Sequence, residues 1–332
     1  MREFAECNYL AALRISKALR PGGRDMKAKS YTPCSAWRIA LVAATLPLGA
    51  CDSVNEIVNG GGAADTYHYL SLGTSLSVGV QPTSGGVPLP TNDGYADQLY
   101  DSIRPAFDTG EPQARDLKLV KLGCPGETLD DMINGGNCLY LAGSQLDAAV
   151  DFLTDNPGKV HLVTIDMGAN DFRNADCITT MVDLNCVTIV SVQIANDLAT
   201  VLTALRNAAG PNTTIVGMNY YNPYLGSWIE DAAGQTLATE SAQAAVILND
   251  LLSTTYATAG IPMADVYAAF ESNDFATIVP SSLPPPNDML PVSVANICDF
   301  TYMCDTAPVG PDIHANFTGY SMIADTLAVE LP

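Results

Sequence analysis

The run Tyr67-His68-Tyr69-Leu70-Ser71-Leu72-Gly73-Thr74-Ser75-Leu76-Ser77 decides the fold. Tyr67 to Leu72 is a short apolar and aromatic stretch that stops at a glycine, the pattern of a buried strand feeding a turn. The same unit recurs downstream. Leu117 to Leu122, Val160 to Met167, Thr214 to Met218 and Ile261 to Val266 read as strands. Between and after them, Tyr95 to Ile103, Ser144 to Leu153, Ile189 to Ala208, Ala238 to Ala257 and Thr318 to Val329 read as helices. Such alternation predicts a mostly parallel sheet with helices on both faces. No internal repeat or second composition regime interrupts it, so residues 66 to 332 form one domain. The Pro-rich stretch Val279 to Val292 predicts a loop inside that domain, because Cys298 and the last helix follow it.

In a parallel sheet, ligands bind outside the carboxyl ends of the strands. The first three expected strands are followed by Gly73-Thr74-Ser75-Leu76-Ser77, by Gly123-Cys124-Pro125-Gly126-Glu127-Thr128 and by Gly168-Ala169-Asn170-Asp171. Pro311-Asp312-Ile313-His314-Ala315-Asn316 precedes the last helix. Small residues and hydroxyl, amide and imidazole groups thus converge on one rim.

Composition narrows the class. The 332 residues are 48% hydrophobic and 15% charged, enough for a large core and too apolar for a disordered chain. A net charge of −21 and the lack of a basic stripe in the second half argue against a nucleic-acid partner. The first 50 residues hold eight of the 15 basic residues, leaving seven Lys and Arg against 33 Asp and Glu, a charge of −26, on the rest. That basic stretch runs into the apolar Ile39 to Ala50, too short for a stable bilayer span, and reads as an export signal. Residues 1 to 50 are therefore a leader, of which 1 to 25 precede an internal Met26 that also opens a signal of normal size. Leu48-Gly49-Ala50-Cys51 resembles a bacterial lipobox, which implies lipidation of Cys51 and a membrane anchor in the cell envelope. Residues 51 to 65, including the Gly-rich Asn59 to Ala64, read as a flexible tether. The alternative is an ordinary cleaved signal with an incidental cysteine.

Six cysteines lie beyond the leader and Cys51: Cys124, Cys138, Cys177, Cys186, Cys298 and Cys304. An even number in an exported chain suggests disulfides, and close spacing favours Cys124 with Cys138, Cys177 with Cys186 and Cys298 with Cys304. No Cys-x-x-Cys pair exists and no His stands at zinc-finger spacing, so a metal site is not expected.

The four rim blocks, in this order, resemble the SGNH hydrolases, also called the GDSL esterase/lipase family. The segments GETLDDMINGG, GSQLDAA and Met218-Asn219-Tyr220-Tyr221-Asn222-Pro223-Tyr224 are similar to secreted bacterial members. The resemblance implies an α/β/α three-layer sandwich on a mostly parallel, flavodoxin-like five-stranded sheet, and hydrolysis of carboxylic esters without metal or organic cofactor. It implies Ser75 as nucleophile and His314 as its base, with the backbone N–H groups of Ser75 and Gly126 and the side-chain amide of Asn170 as oxyanion donors.

The chemistry is consistent with these roles. A serine hydroxyl needs an adjacent imidazole to take its proton. Only three histidines exist, and His68 and His161 fall at or near the starts of strands, away from the rim. The family motif reads Asp-x-x-His, whereas Asp312 stands two positions before His314 and Pro311 three, so either Asp312 or a backbone carbonyl orients the ring. Thr74 replaces the family's Asp before the nucleophile. Ser77, Asp171 and Glu127 read as structural neighbours. Aromatic, Pro and Leu residues at 220 to 225 and 280 to 291 are candidates for a pocket wall or for plain packing. Alternatives to a simple esterase or lipase are a deacetylase or thioesterase acting on cell-surface glycans or lipids, and a surface lipoprotein that binds a ligand on this fold without turnover.

Overall fold

The structure, a computed structural model, describes residues 65–107 and 115–332. The expected leader, Cys51 and the tether up to residue 64 lie outside the described residues. Five parallel strands form the central sheet: β1 (Asp65–Gly73), β2 (Arg115–Lys121), β3 (Val160–Asp166), β4 (Thr214–Met218) and β5 (Met263–Ala264). Their spatial order is β2-β1-β3-β4-β5, the flavodoxin-like arrangement. β1 therefore pairs with β2 on one side, with Tyr67 opposite Leu117, and with β3 on the other, with Leu70 opposite Val163. Both faces of β1 and β3 are covered, which is why Tyr69, Leu70, Leu72, Leu162, Val163 and Ile165 are all fully buried.

Nine helices are described: α1 (Tyr95–Ile103), α2 (Leu129–Asn134), α3 (Gln145–Asp155), α4 (Ala169–Asn174), α5 (Leu184–Ala209), α6 (Ala232–Thr258), α7 (Val266–Ala269), α8 (Val292–Phe300) and α9 (Phe317–Val329). The chain moves one way from β1 to β2 and the other way thereafter, so right-handed crossovers put α1 on one face and α3, α5 and α6 on the other. α9 packs on α1, while α3, α5 and α6 pack in series. α5 is long and apolar enough to cross a membrane. Here it buries the stripe Val187, Ser191, Ile194, Leu198, Val201, Leu202 and Leu205 within the domain, at helical spacing. Each fully buried Leu or Val on that stripe contributes about 1.5–3 kcal/mol.

Side-chain caps fix where helices start. Thr128 and Asp131 form a reciprocal capping box on α2, and Ser144 accepts from Asp147 N at α3. Asn316 accepts from Gly319 N at α9, which stops the preceding strand directly after the histidine loop.

Two expected elements differ. Ile261 to Val266 is not one strand: only Met263–Ala264 pairs with β4, because the Asp265 side chain accepts from Ala268 N and starts α7. The stretch 279 to 292 is not all loop, since Ile278–Pro280 pairs antiparallel with Met289–Pro291 before α8 begins. The three disulfides are those expected from spacing: Cys124–Cys138, Cys177–Cys186 and Cys298–Cys304. Disulfides of this kind persist in oxidising compartments.

Candidate active site

The turn after β1 is gripped from several sides. Gly73 has φ +131°, and a Cβ there would meet the Asp166 backbone oxygen at 2.5 Å, so glycine is required. Gln145, the first residue of α3, binds both backbone groups of Gly73: Gly73 N donates to its Oε1 at 2.7 Å and its Nε2 donates to Gly73 O at 3.0 Å. Thr74 donates its N–H and its Oγ1–H to Asp166 Oδ1 at 2.8 and 2.9 Å, and Ser77 Oγ donates to Thr74 O at 2.7 Å. The other Asp166 oxygen accepts from Tyr95 OH at 2.8 Å. Ser75 is thereby held at the C-terminal end of β1, next to the point where the strand order reverses.

Asp166 is fully buried, and burial pushes its carboxyl up to about 7 despite the donors from Thr74 and Tyr95. Sequence reasoning passed it over. Its signal was an acid closing an otherwise apolar strand, directly before Met167-Gly168-Ala169-Asn170. It places a carboxylate against the backbone of position 74, where the residue itself is a threonine.

His314 sits on the short strand Asp312–Ala315, paired with Thr301–Tyr302 and followed by α9. Asp312 Oδ1 lies 2.6 Å from His314 Nδ1 and accepts from the His314 backbone N–H at 2.9 Å. The two-residue spacing thus still brings a carboxylate to the ring. Burial alone would raise the Asp312 carboxyl, but the His314 ring and backbone N–H outweigh it and hold the group below its ordinary range. A proton on Nδ1, the tautomer this contact favours, leaves Nε2 as the acceptor. Tyr221 OH donates to Ile313 O at 2.7 Å and steadies the loop.

Ser75, Asn170 and His314 line one small cleft with Thr74, Tyr220, Tyr221 and Ile313. Ser75 and His314 share this cleft without a hydrogen bond between their side chains, a looseness common before substrate binds. Asn170 belongs to the first turn of α4, after Gly168 at φ +117°, and its Nδ2 donates to Glu127 O at 3.0 Å, leaving its second amide hydrogen available. Gly126, at φ +82°, is exposed and lines neither this cleft nor its neighbour. Its loop is held by the Cys124–Cys138 disulfide and by Asn137 Nδ2 donating to Pro125 O at 2.8 Å.

The small cleft shares Ala169, Asn170, Tyr220, Tyr221, Pro223 and Ile313 with a larger, mostly apolar cleft of about 180 Å³, walled also by Ile178, Tyr224, Leu248 and Met303. The 220 to 225 segment therefore does form a wall, whereas no residue of 280 to 291 lines either cleft.

The three polar neighbours expected to be structural brace the loops. Ser77 holds Thr74, Asp171 accepts from Leu129 N at 3.0 Å, and Glu127 is fully buried, accepting from Gln145 Nε2. Burial pushes Glu127 up to about 7 and Asp171 up to about 6. His68 packs edge-on against Phe152 and His161 against Phe107, far along their strands from the rim. Among the described residues no group of three His, Cys, Asp or Glu side chains is placed to hold a metal ion.

No family model and no curated protein sequence matches the chain. Among solved structures, an extracellular lipase from Streptomyces rimosus is 19% identical over 80% of this chain and 100% of its own, with a TM-score of 0.50. The chain shares the fold of that lipase, a mostly parallel five-stranded sheet between two layers of helices. Phospholipase A1 from Streptomyces albidoflavus NA297 aligns at 18% identity over 81% of this chain and 100% of its own, TM-score 0.49. A member of the lipolytic G-D-S-L family from Veillonella parvula DSM 2008 aligns at 13% over 80% and 97%, TM-score 0.41. On this fold, Ser75 and Asn170 follow the adjacent strands β1 and β3, and the short strand bearing His314 brings its ring to the same cleft.

Proposed function

We propose that the protein is a serine esterase that hydrolyses carboxylic esters through an acyl-enzyme. The observation that carries the reading is the Asp312–His314 pair opening on the cleft that Ser75 and Asn170 also line. Ser75 Oγ attacks the ester carbonyl as His314 Nε2 takes its proton. The Ser75 backbone N–H and the free Asn170 amide hydrogen stabilise the oxyanion, while Gly126, on a loop that lines neither cleft, is left out of the proposed oxyanion hole. His314 returns the proton to the leaving alcohol, and an activated water releases the acid. The apolar cleft beside the serine suits a hydrocarbon acyl chain better than an acetylated sugar, and the S. rimosus neighbour, an extracellular lipase, points the same way.

The test is hydrolysis of p-nitrophenyl acetate and butyrate by the purified protein beside Ser75→Ala and His314→Ala. Activity lost in both variants, with unchanged circular dichroism, supports the mechanism. A folded protein that neither cleaves these esters nor labels at Ser75 with a fluorophosphonate refutes it.

The same proposal includes an exported domain of residues 66 to 332 behind a leader of residues 1 to 50 and a tether at 51 to 65, lipid-anchored at Cys51. Metabolic labelling with palmitate, lost in Cys51→Ser with release of the protein from membranes, is the expected outcome.

A further inference from the structure

Seven basic side chains lie between residues 65 and 332, all among the described residues. Six are engaged. Lys118 pairs with Asp116 at 2.7 Å, Lys121 with Asp97 at 2.9 Å and Lys159 with Asp65 at 2.8 Å. Arg206 donates to Gly210 O at 3.2 Å and Thr213 O at 2.9 Å, while Arg104 lies over the Tyr100 ring and Arg115 over the Tyr67 ring. Arg173 has no hydrogen bond, ion pair or ring partner among the described residues. In a chain where acids so outnumber bases, direct pairing is the rule and Arg173 departs from it, its charge reaching Asp312 and Tyr224 only beyond ion-pair distance.

Its position gives the departure a meaning. Arg173 follows Asn170 by three residues on α4, so the two side chains leave the same helix face. Both line the larger cleft, and no Asp, Glu or Lys shares its wall. The cleft is therefore a mostly apolar surface that also carries Asn222, Ser241 and Asn249, with Arg173 as its one basic side chain, one helical turn from Asn170. The ligand complementary to that surface is an amphiphile with an apolar chain and an anionic group. A guanidinium presents a planar fork of donors that matches phosphate and carboxylate oxygens two at a time.

We propose that Arg173 is an anion subsite, and that the esters this site prefers carry a phosphate or carboxylate close to the scissile bond. The inference rests on the esterase reading for turnover but not for binding. Because Arg173 is exposed, solvent screens it, and the discrimination expected is roughly fivefold to tenfold at low salt.

The experiment compares 1-hexanoylglycerol with 1-hexanoylglycerol 3-phosphate and with a monoester of a dicarboxylic acid, as ratios of kcat/KM in the whole protein. The phosphate arm places the anion on the alcohol side and the dicarboxylate arm on the acyl side, so the preferred ester identifies which group meets Arg173. At least one anionic ester is expected to outcompete the neutral one. Arg173→Gln should erase that ratio, Arg173→Lys should keep part of it, and added salt should lower it in the wild type and in Arg173→Lys but not in Arg173→Gln. A ratio unchanged in Arg173→Gln overturns the proposal. Equilibrium binding of hexyl phosphate by the wild type and Arg173→Gln is read separately by calorimetry. If no ester is cleaved, the esterase reading fails while the anion subsite still stands or falls on a fivefold loss of hexyl phosphate affinity in Arg173→Gln.

Discussion

Replacing Asp166 with Asn keeps the shape of the side chain and removes its ability to ionise. The new Oδ1 still accepts the two bonds from Thr74, while the amide faces Tyr95 OH, whose proton must turn away from its present acceptor. Losing that one buried bond costs about 1 kcal/mol. The opposing effect depends on pH. Because the folded-state value lies above the unfolded one, the Asp166 contribution to stability is full below the unfolded value of 3.8 and is lost as pH rises to about 7. At 1.36 kcal/mol per pH unit, the wild type loses about 4 kcal/mol over that window and the variant loses none of it. Asp166→Asn should therefore be slightly less stable than wild type at pH 4, equal to it near about pH 5, and roughly 3 kcal/mol more stable by pH 8. Glu127 and Asp171 titrate upward in both proteins and cancel in the difference. Urea melts of both proteins with disulfides intact, from pH 4 to 9, measure it. A stability difference that stays flat within 1 kcal/mol across the series would refute the reasoning, because it would mean that Asp166 is not a buried, ionising group.

Three further outcomes follow from the same geometry. Asp312→Asn should keep a hydrogen bond to the His314 ring but favour the wrong tautomer, lowering kcat about 10⁴-fold with little change in melting temperature, as read from ester hydrolysis and calorimetry. Asn170→Ala should lower kcat by about 10² to 10³ through the lost oxyanion donor, with KM for a neutral ester much less affected; an equal effect on both would assign Asn170 to substrate binding. Removing the Cys124–Cys138 bridge, which closes a separation of 14 residues, should cost about 3 kcal/mol in denaturant melts and disorder the Gly126 loop in hydrogen exchange.

Much of the fold was legible because its strands are short apolar runs closed by glycine and its helices carry caps. β4 and α1 run over the expected residues, since Thr214 and Tyr95 each begin an unambiguous period. Strand β5 was not legible, because Val266 reads as apolar strand while the cap at Asp265 commits it to a helix. The rim was legible where chain order brought residues after strands, hence Ser75, Asn170 and His314. The grip behind the rim was not. Gln145 reads as an ordinary first-turn residue and Asp166 as a strand-end acid, and only the adjacency of β1 and β3 turns them into clamps on Gly73 and Thr74. Arg173 was invisible for a related reason: being unpaired is a property of neighbours, not of sequence.

The partners that shape the Ser75 turn lie far away along the chain. Gln145 reaches Gly73 across 72 residues, Asp166 reaches Thr74 across 92, and Tyr95 reaches Asp166 across 71. Contacts at such separations must wait for loop closure and strand pairing, the slow part of building a parallel sheet. A nascent or unravelled chain thus carries the serine but none of the restraint that aims it. On the proposed reading, hydrolytic competence is conferred late, by the completed sheet, and no peptide excised around Gly73-Thr74-Ser75 would inherit it.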